Sequence, residues 1–251
     1  MGNDKLLDIA KKAAIDAGKA ILNVYHSGDF HVEPKNDNSP LTKADKQAHN
    51  IIINYLKTTN IPILSEEGHE IPYTERKKWK RFWLVDPLDG TKEFIKRNGE
   101  FTVNIALIEF GQPILGVVYI PVSQKLYWAL KGHGAYRKDI DGYLIRLVRQ
   151  RKKGDVVRVI ASRSHINKET QDFINRFEEV KVVSRGSSLK FLEIAENTAD
   201  FYPRFAPTME WDTGAAQAIL EEAGGKVLNQ VTKKPLSYNK ENLLNPYFLA
   251  E

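Results

Sequence analysis

The chain has 251 residues, 42% of them hydrophobic, enough to bury a sizeable core in one large domain or two closely packed halves. It contains no cysteine, which excludes a disulfide framework, a thiolate metal site and a cysteine nucleophile. Lys and Arg number 37 against 32 Asp and Glu; a net charge of +5 suits a polyanionic partner, nucleic acid or a multiply phosphorylated small molecule, but on charge alone a solvated lysine-rich surface is the simpler reading.

The first residues mix Asp and Lys with apolar side chains and lack the unbroken apolar run of a signal peptide. No window approaches the roughly 20 apolar residues that span a bilayer, so a cytoplasmic protein with no transmembrane segment is expected. Leu6, Ile9, Ala10, Ala13, Ala17, Ile21, Val24 and Tyr25 recur at helical spacing and predict a helix over 5–26. A Pro- and Asn-containing loop follows, and a second helix begins at Thr42. Apolar runs at 61–64 and 82–85 read as buried strands, the first ending at Ser65-Glu66-Glu67 and the second at Asp86-Pro87. Segments 101–108, 114–120 and 125–130 read as three consecutive antiparallel strands. The basic stretch 146–154 is the best candidate boundary between an N-terminal half, 1–153, and a C-terminal half, 154–251. Beyond it, strands (156–161, 180–183, 200–205, 226–228) alternate with helices (168–179, 187–196, 212–223), which argues for a sheet covered by helices.

The most informative stretch is Asp86-Pro87-Leu88-Asp89-Gly90-Thr91 at the end of a buried strand. Two carboxylates three residues apart at a turn can point into one site, with Pro87 holding Asp86 extended and Gly90 allowing close backbone approach. A short helix opening at Thr91 would turn its free N–H groups towards an anion. Hard oxygen ligands there suit Mg²⁺ together with a phosphate. A nucleophilic Asp in an Asp-x-Asp-Gly-Thr arrangement is ruled out, because the residue two before Asp89 is Pro87. Two further acidic positions stand at element ends. Glu66 follows the 61–64 strand, and if that strand lies parallel to 82–85 their ends meet; Asp212 opens a helix, where alone it fits an N-cap.

The Glu66-Glu67 pair after a strand, Trp83-Leu84-Val85-Asp86-Pro87-Leu88-Asp89-Gly90-Thr91 and Trp211-Asp212-Thr213-Gly214-Ala215 together resemble the signature motifs of the inositol monophosphatase superfamily, along nearly the whole chain. The resemblance implies an α+β fold in α/β/α/β/α layers. It also implies two or three Mg²⁺ bound by Glu66, Asp86, the Leu88 carbonyl, Asp89 and Asp212, and an activity on phosphate esters. It assigns Asp45 and Thr91, with Glu66, to orienting the attacking water, whereas the residues alone read Thr42 and Asp45 as a capping box. Gly214 departs from the pattern, where Ala is usual, and is expected to loosen the helix packing. Ser162-Arg163-Ser164-His165, Gly186-Ser187-Ser188-Leu189-Lys190 and Tyr202-Pro203-Arg204-Phe205 extend the likeness to the bacterial 3′(2′),5′-bisphosphate nucleotidases of that superfamily. This implies a small phosphorylated nucleotide as partner, no nucleic acid, and contacts from Gly90, Thr91, His165, Ser187, Lys190, Arg204 and Asp212. It also brings in the cytoplasmic face of the inner membrane as a location; no amphipathic anchor stands out.

Overall fold

A computed structural model describes residues 1–34, 40–150, 156–162 and 167–251. The elements run α1 (Asn3–Ser27), β1 (Glu33–Pro34), β2 (Pro40–Leu41), α2 (Lys43–Leu56), β3 (Ile63–Ser65), α3 (Tyr73–Arg76), β4 (Arg81–Asp89) and α4 (Thr91–Ile95). The antiparallel strands β5 (Thr102–Glu109), β6 (Gln112–Ile120), β7 (Lys125–Leu130), β8 (Gly134–Lys138) and β9 (Leu144–Leu147) follow. After β10 (Val157–Ser162) come α5 (Lys168–Ile174), β11 (Val180–Arg185), α6 (Leu189–Ala195) and β12 (Tyr202–Arg204). A 3₁₀ turn at Glu210–Asp212, α7 (Gly214–Glu222), β13 (Val227–Asn229) and β14 (Phe248–Ala250) close the chain.

One seven-stranded sheet, in the order β3-β4-β5-β6-β7-β8-β9, organises the molecule. Alternation along its strands feeds two cores. In β4, Trp83 and Val85 face α1 and α2, while Phe82 and Leu84 face α6 and α7. The second core also takes in Tyr202, Val227 and Phe248 from a three-stranded sheet, β12-β14-β13, so both halves of the sequence share it. A smaller apolar cluster gathers Val159, Phe173, Ile174 and Phe201 beside the parallel β10–β11 pair. The layering of helices and sheets is the α+β arrangement expected.

Local chemistry explains the boundaries. Helix α1 stops where Gly28 adopts φ 74°, and its N–H closes on the Val24 carbonyl. Helix α2 starts at a complete capping box formed by Thr42 and Asp45. Helix α7 is buried nearly all round because the sheet beneath it is lined with small residues. Ala106, Gly116, Ala129 and Ala135 sit opposite one another across β5, β6, β7 and β8. A Cβ built on Gly116 would lie 2.2 Å from the Ala215 carbonyl oxygen, so only glycine admits the helix this closely. Gly214 follows the same rule, which corrects the expectation of looser packing: its Cβ would meet Leu84 Cδ2 at 2.9 Å.

Several elements differ from the sequence reading. Strand β4 does not end at Asp86; it runs on to Asp89, with a register shift between Asp86 and Asp89 where Pro87 withdraws a donor. At the start of the 146–154 stretch, Arg146 belongs to β9, a strand beyond the three read in this region, and pairs with Tyr136 of β8. Helix α5 is shorter than 168–179. Asp212 is not the cap of α7 but closes the preceding 3₁₀ turn, its Oδ2 accepting from the Met209 N–H at 2.9 Å.

Candidate active site

Strands β3 and β4 run parallel with Ser65 opposite Val85, and the Glu66 N–H extends the pairing to the Val85 carbonyl. That register brings Glu66 beside Asp86, close enough for a side-chain hydrogen bond between the two carboxyl groups. Burial, reinforced by the negative charges of Glu66, Asp89 and Asp212, pushes the Asp86 carboxyl well above the usual range. Asp212 arrives from the other half of the chain at the foot of α7. Its carboxyl is raised to about 8, first by burial and then by Asp89 and Glu66. Asp89 is also raised by burial, opposed by Lys190 and by hydrogen bonds from Ser188 and Asn104. Four acids from three segments are thus gathered, as the sequence motifs imply.

The bulge in β4 shapes the rest of the motif. Asp86 Oδ1 accepts from the Leu88 N–H at 3.0 Å, and Gly90 takes φ 94°, with a Cβ there only 3.0 Å from the Glu100 carbonyl oxygen. Thr91 then opens α4, with its hydroxyl 3.1 Å from Asp45 Oδ1 and 3.2 Å from the Leu88 carbonyl. The other Asp45 oxygen, Oδ2, accepts from the Thr42 N–H at 2.7 Å. The capping box and the Asp45–Thr91 contact therefore coexist on one carboxylate.

On the opposite wall, Ser187 has φ 41°, outside the ordinary range for a residue with a side chain, and its buried hydroxyl finds no protein partner. Lys190 is buried; its Nζ donates to the Ser187 carbonyl at 2.6 Å and lies 5.2 Å from the centre of the Tyr202 ring. Desolvation lowers its pKa to about 8 against the pull of Asp89. Arg204 donates to the Pro207 carbonyl at 2.7 Å, and its Nε is buried without a partner. Buried donors facing a carboxylate cluster are the arrangement an anionic ligand completes. His165 lies outside the described residues.

Two residues were missed in the sequence. Ser188 precedes α6, yet its side chain makes no cap; the hydroxyl donates to Asp89 Oδ2 at 2.9 Å and lies 3.1 Å from the Asp212 carbonyl. Asn104 Nδ2 donates to Ser188 Oγ at 2.9 Å and reaches Asp89 Oδ2 at 3.3 Å. The signal was present: Thr102 and Asn104 are polar residues two apart on one face of an otherwise apolar strand.

Among the described residues no three His, Asp or Glu side chains are closed around one point as a bound ion requires. The donor set nevertheless fits a hard divalent cation. It consists of oxygen ligands alone, and its carboxyls, raised first by burial and then by one another's charge, are held where such a cation would favour their ionised form. No helix among the described residues is long and apolar enough to cross a membrane.

Comparison with known proteins places this geometry. Residues 2–247 match the model of the inositol monophosphatase family. The chain is 46% identical over 250 residues to the 3′(2′),5′-bisphosphate nucleotidase CysQ of Escherichia coli, covering 97% of this chain and 98% of the relative. The crystal structure of CysQ from Bacteroides thetaiotaomicron superposes with a TM-score of 0.89 at 45% identity, over 98% of this chain and 97% of that one. An inositol monophosphatase from Anabaena superposes with a TM-score of 0.76 at 25% identity, over 100% of this chain and 91% of the other. With its acidic motifs gathered in this fold, the chain belongs to the inositol monophosphatase family.

Proposed function

We propose that the protein is a Mg²⁺-dependent 3′(2′),5′-bisphosphate nucleotidase that hydrolyses adenosine 3′,5′-bisphosphate to AMP and phosphate, clearing a by-product of sulfate activation in the cytoplasm. The observation that carries the reading is the convergence of Glu66, Asp86, Asp89 and Asp212 opposite the buried donors of Ser187, Lys190 and Arg204. The near full-length likeness to CysQ nucleotidases supports the choice of substrate.

Two or three Mg²⁺ held by Glu66, Asp86, the Leu88 carbonyl, Asp89 and Asp212 would supply Lewis acidity and neutralise charge at the reacting phosphate. The chain's own groups do the positioning. Asp45 accepts the Thr91 hydroxyl proton in a hydrogen bond, which leaves the Thr91 oxygen to accept from an incoming water and aim it. The water attacks phosphorus in line as the bond to the ribose 3′-oxygen breaks, with no covalent enzyme intermediate. The N–H groups of Gly90 and Thr91 grip the departing phosphate. Ser187, Lys190 and Arg204 hold the second phosphate, with the Lys190 charge present below about pH 8.

Phosphate release from adenosine 3′,5′-bisphosphate, inositol 1-phosphate and fructose 1,6-bisphosphate, each with Mg²⁺, with a chelator and with Li⁺, tests the proposal. The nucleotide is expected to give the highest kcat/KM, with activity abolished by the chelator and inhibited by Li⁺. Preference for either sugar phosphate, or chelator-resistant turnover, would overturn it.

A further inference from the structure

The chain Thr102–Asn104–Ser188 joins the sheet to both ends of the acidic cluster and is buried throughout, each residue being 1% exposed or less. Its polarity is fixed from one end. The Asp89 carboxylate oxygen Oδ2 only accepts, so the Asn104 atom 3.3 Å from it is Nδ2, which also donates to Ser188 and leaves Oδ1 to accept from the Thr102 hydroxyl at 3.1 Å. The Ser188 oxygen accepts from Asn104 and has one proton left to give. Asp89 Oδ2 and the Asp212 carbonyl both lie within its reach, at 2.9 and 3.1 Å, and the carboxylate is the stronger acceptor.

We infer that Asn104 and Ser188 are positioning residues for the divalent cation. They hold Asp89 by its Oδ2, so that a cation meets a ligand already set. The geometry explains why they come from different halves of the fold. Asn104 sits on β5, opposite Asp86 in the sheet, while Ser188 opens the helix that carries Lys190. The turn before that helix is clamped in place: the Gly186 N–H donates to Glu100 at 2.7 Å, and a Cβ at Gly186 would lie 2.8 Å from the Glu100 carbonyl oxygen. Ser188 is therefore delivered to Asp89 by backbone packing rather than by a free rotation. Partners of this kind, outside the ligands themselves, change metal affinity by about 10- to 100-fold when removed.

The inference rests on the proposed divalent-cation site, and its test separates the two. Mg²⁺ and, separately, AMP are titrated calorimetrically into Ser188→Ala, Asn104→Asp, Ser188→Thr and the unaltered protein, without substrate turnover. Ser188→Ala is expected to weaken Mg²⁺ binding about 10-fold or more, with AMP affinity in chelator changed less than about twofold. Ser188→Thr, which keeps the hydroxyl, restores most of the Mg²⁺ affinity. Asn104→Asp keeps the shape but sets an acceptor against Asp89, so it weakens Mg²⁺ binding if the donor is what matters. Unaltered Mg²⁺ affinity in both Ser188→Ala and Asn104→Asp overturns the inference, as does an equal loss of Mg²⁺ and AMP affinity, which marks a merely structural role. Failure of the unaltered protein to bind Mg²⁺ counts instead against the proposed function.

Discussion

Gly116→Ala places one methyl group far from any reacting atom and yet is expected to damage the active site. The added Cβ would sit 2.2 Å from the Ala215 carbonyl oxygen and 2.9 Å from Ala218 Cβ. The first obstacle is backbone, which no rotamer change can move. Bringing that contact to the 3.4 Å where ordinary contact begins separates β6 from α7 by about 1.2 Å. Overpacking of this kind costs about 1–3 kcal/mol, which for a chain of this size lowers Tm by roughly 2–4 °C per kcal/mol. The functional effect is larger in proportion, because Ala215 lies three residues beyond Asp212 and the helix carries that carboxylate away from Asp86 and Asp89. A misplacement of about 1 Å in a positioned catalytic group costs on the order of 100-fold in rate. The assay is thermal unfolding together with kcat on adenosine 3′,5′-bisphosphate, with Gly2→Ala as control because nothing lies within 4 Å of its added Cβ. A Gly116→Ala protein with a lowered Tm and normal kcat would refute the claim that α7 seats Asp212; one unchanged in both would refute the packing argument itself.

Asp89→Asn removes one charge while keeping the shape, and is expected to nearly abolish turnover with the far-ultraviolet circular dichroism unchanged; normal activity would remove Asp89 from the ligand set. Lys190→Ala is expected to raise KM for nucleotide bisphosphates more than for inositol phosphates. Because the Lys190 pKa is lowered to about 8, the unaltered protein should converge on the variant's KM as pH rises through that value. Asp212 gives a stability test. Its carboxyl is raised from 3.8 to about 8, so the folded state keeps a proton that the unfolded chain has lost, and stability in chelator should fall as pH rises between those limits. Urea unfolding of Asp212→Asn should show a shallower fall over that window than the unaltered protein; identical slopes would contradict the raised pKa.

How much of this was legible in the sequence depends on whether the signal was local. Helices α1 and α2 announced themselves by apolar spacing and by the Thr42–Asp45 box, and β5, β6 and β7 by continuous apolar runs. The meeting of Glu66 with Asp86 followed from one topological assumption, parallel pairing of two short strands, which the fold satisfies. What the sequence hid was set by tertiary contact. Pro87 read as the end of a strand because it cannot donate in the ladder, yet the bulge absorbs it and carries Asp89 onward. Strands β8 and β9 were concealed by charged residues: Arg137 and Arg146 belong to strands, and β9 is an edge strand with three of its four residues exposed. Strand β14 pairs between β12 and β13, some 20 residues or more away in sequence, so no local pattern marks it. The role of Ser188 had no local signal, because Ser before a helix usually caps it; here the nearby Asp89 carboxylate takes the hydroxyl instead.

The most direct test of the acidic cluster as a divalent-cation site is anomalous X-ray scattering from crystals of the protein soaked in Mn²⁺. The expected map has its strongest peaks within coordination distance of Glu66, Asp86, Asp89 and Asp212. Peaks confined to other places, with these four carboxylates bare at saturating Mn²⁺, would contradict the account.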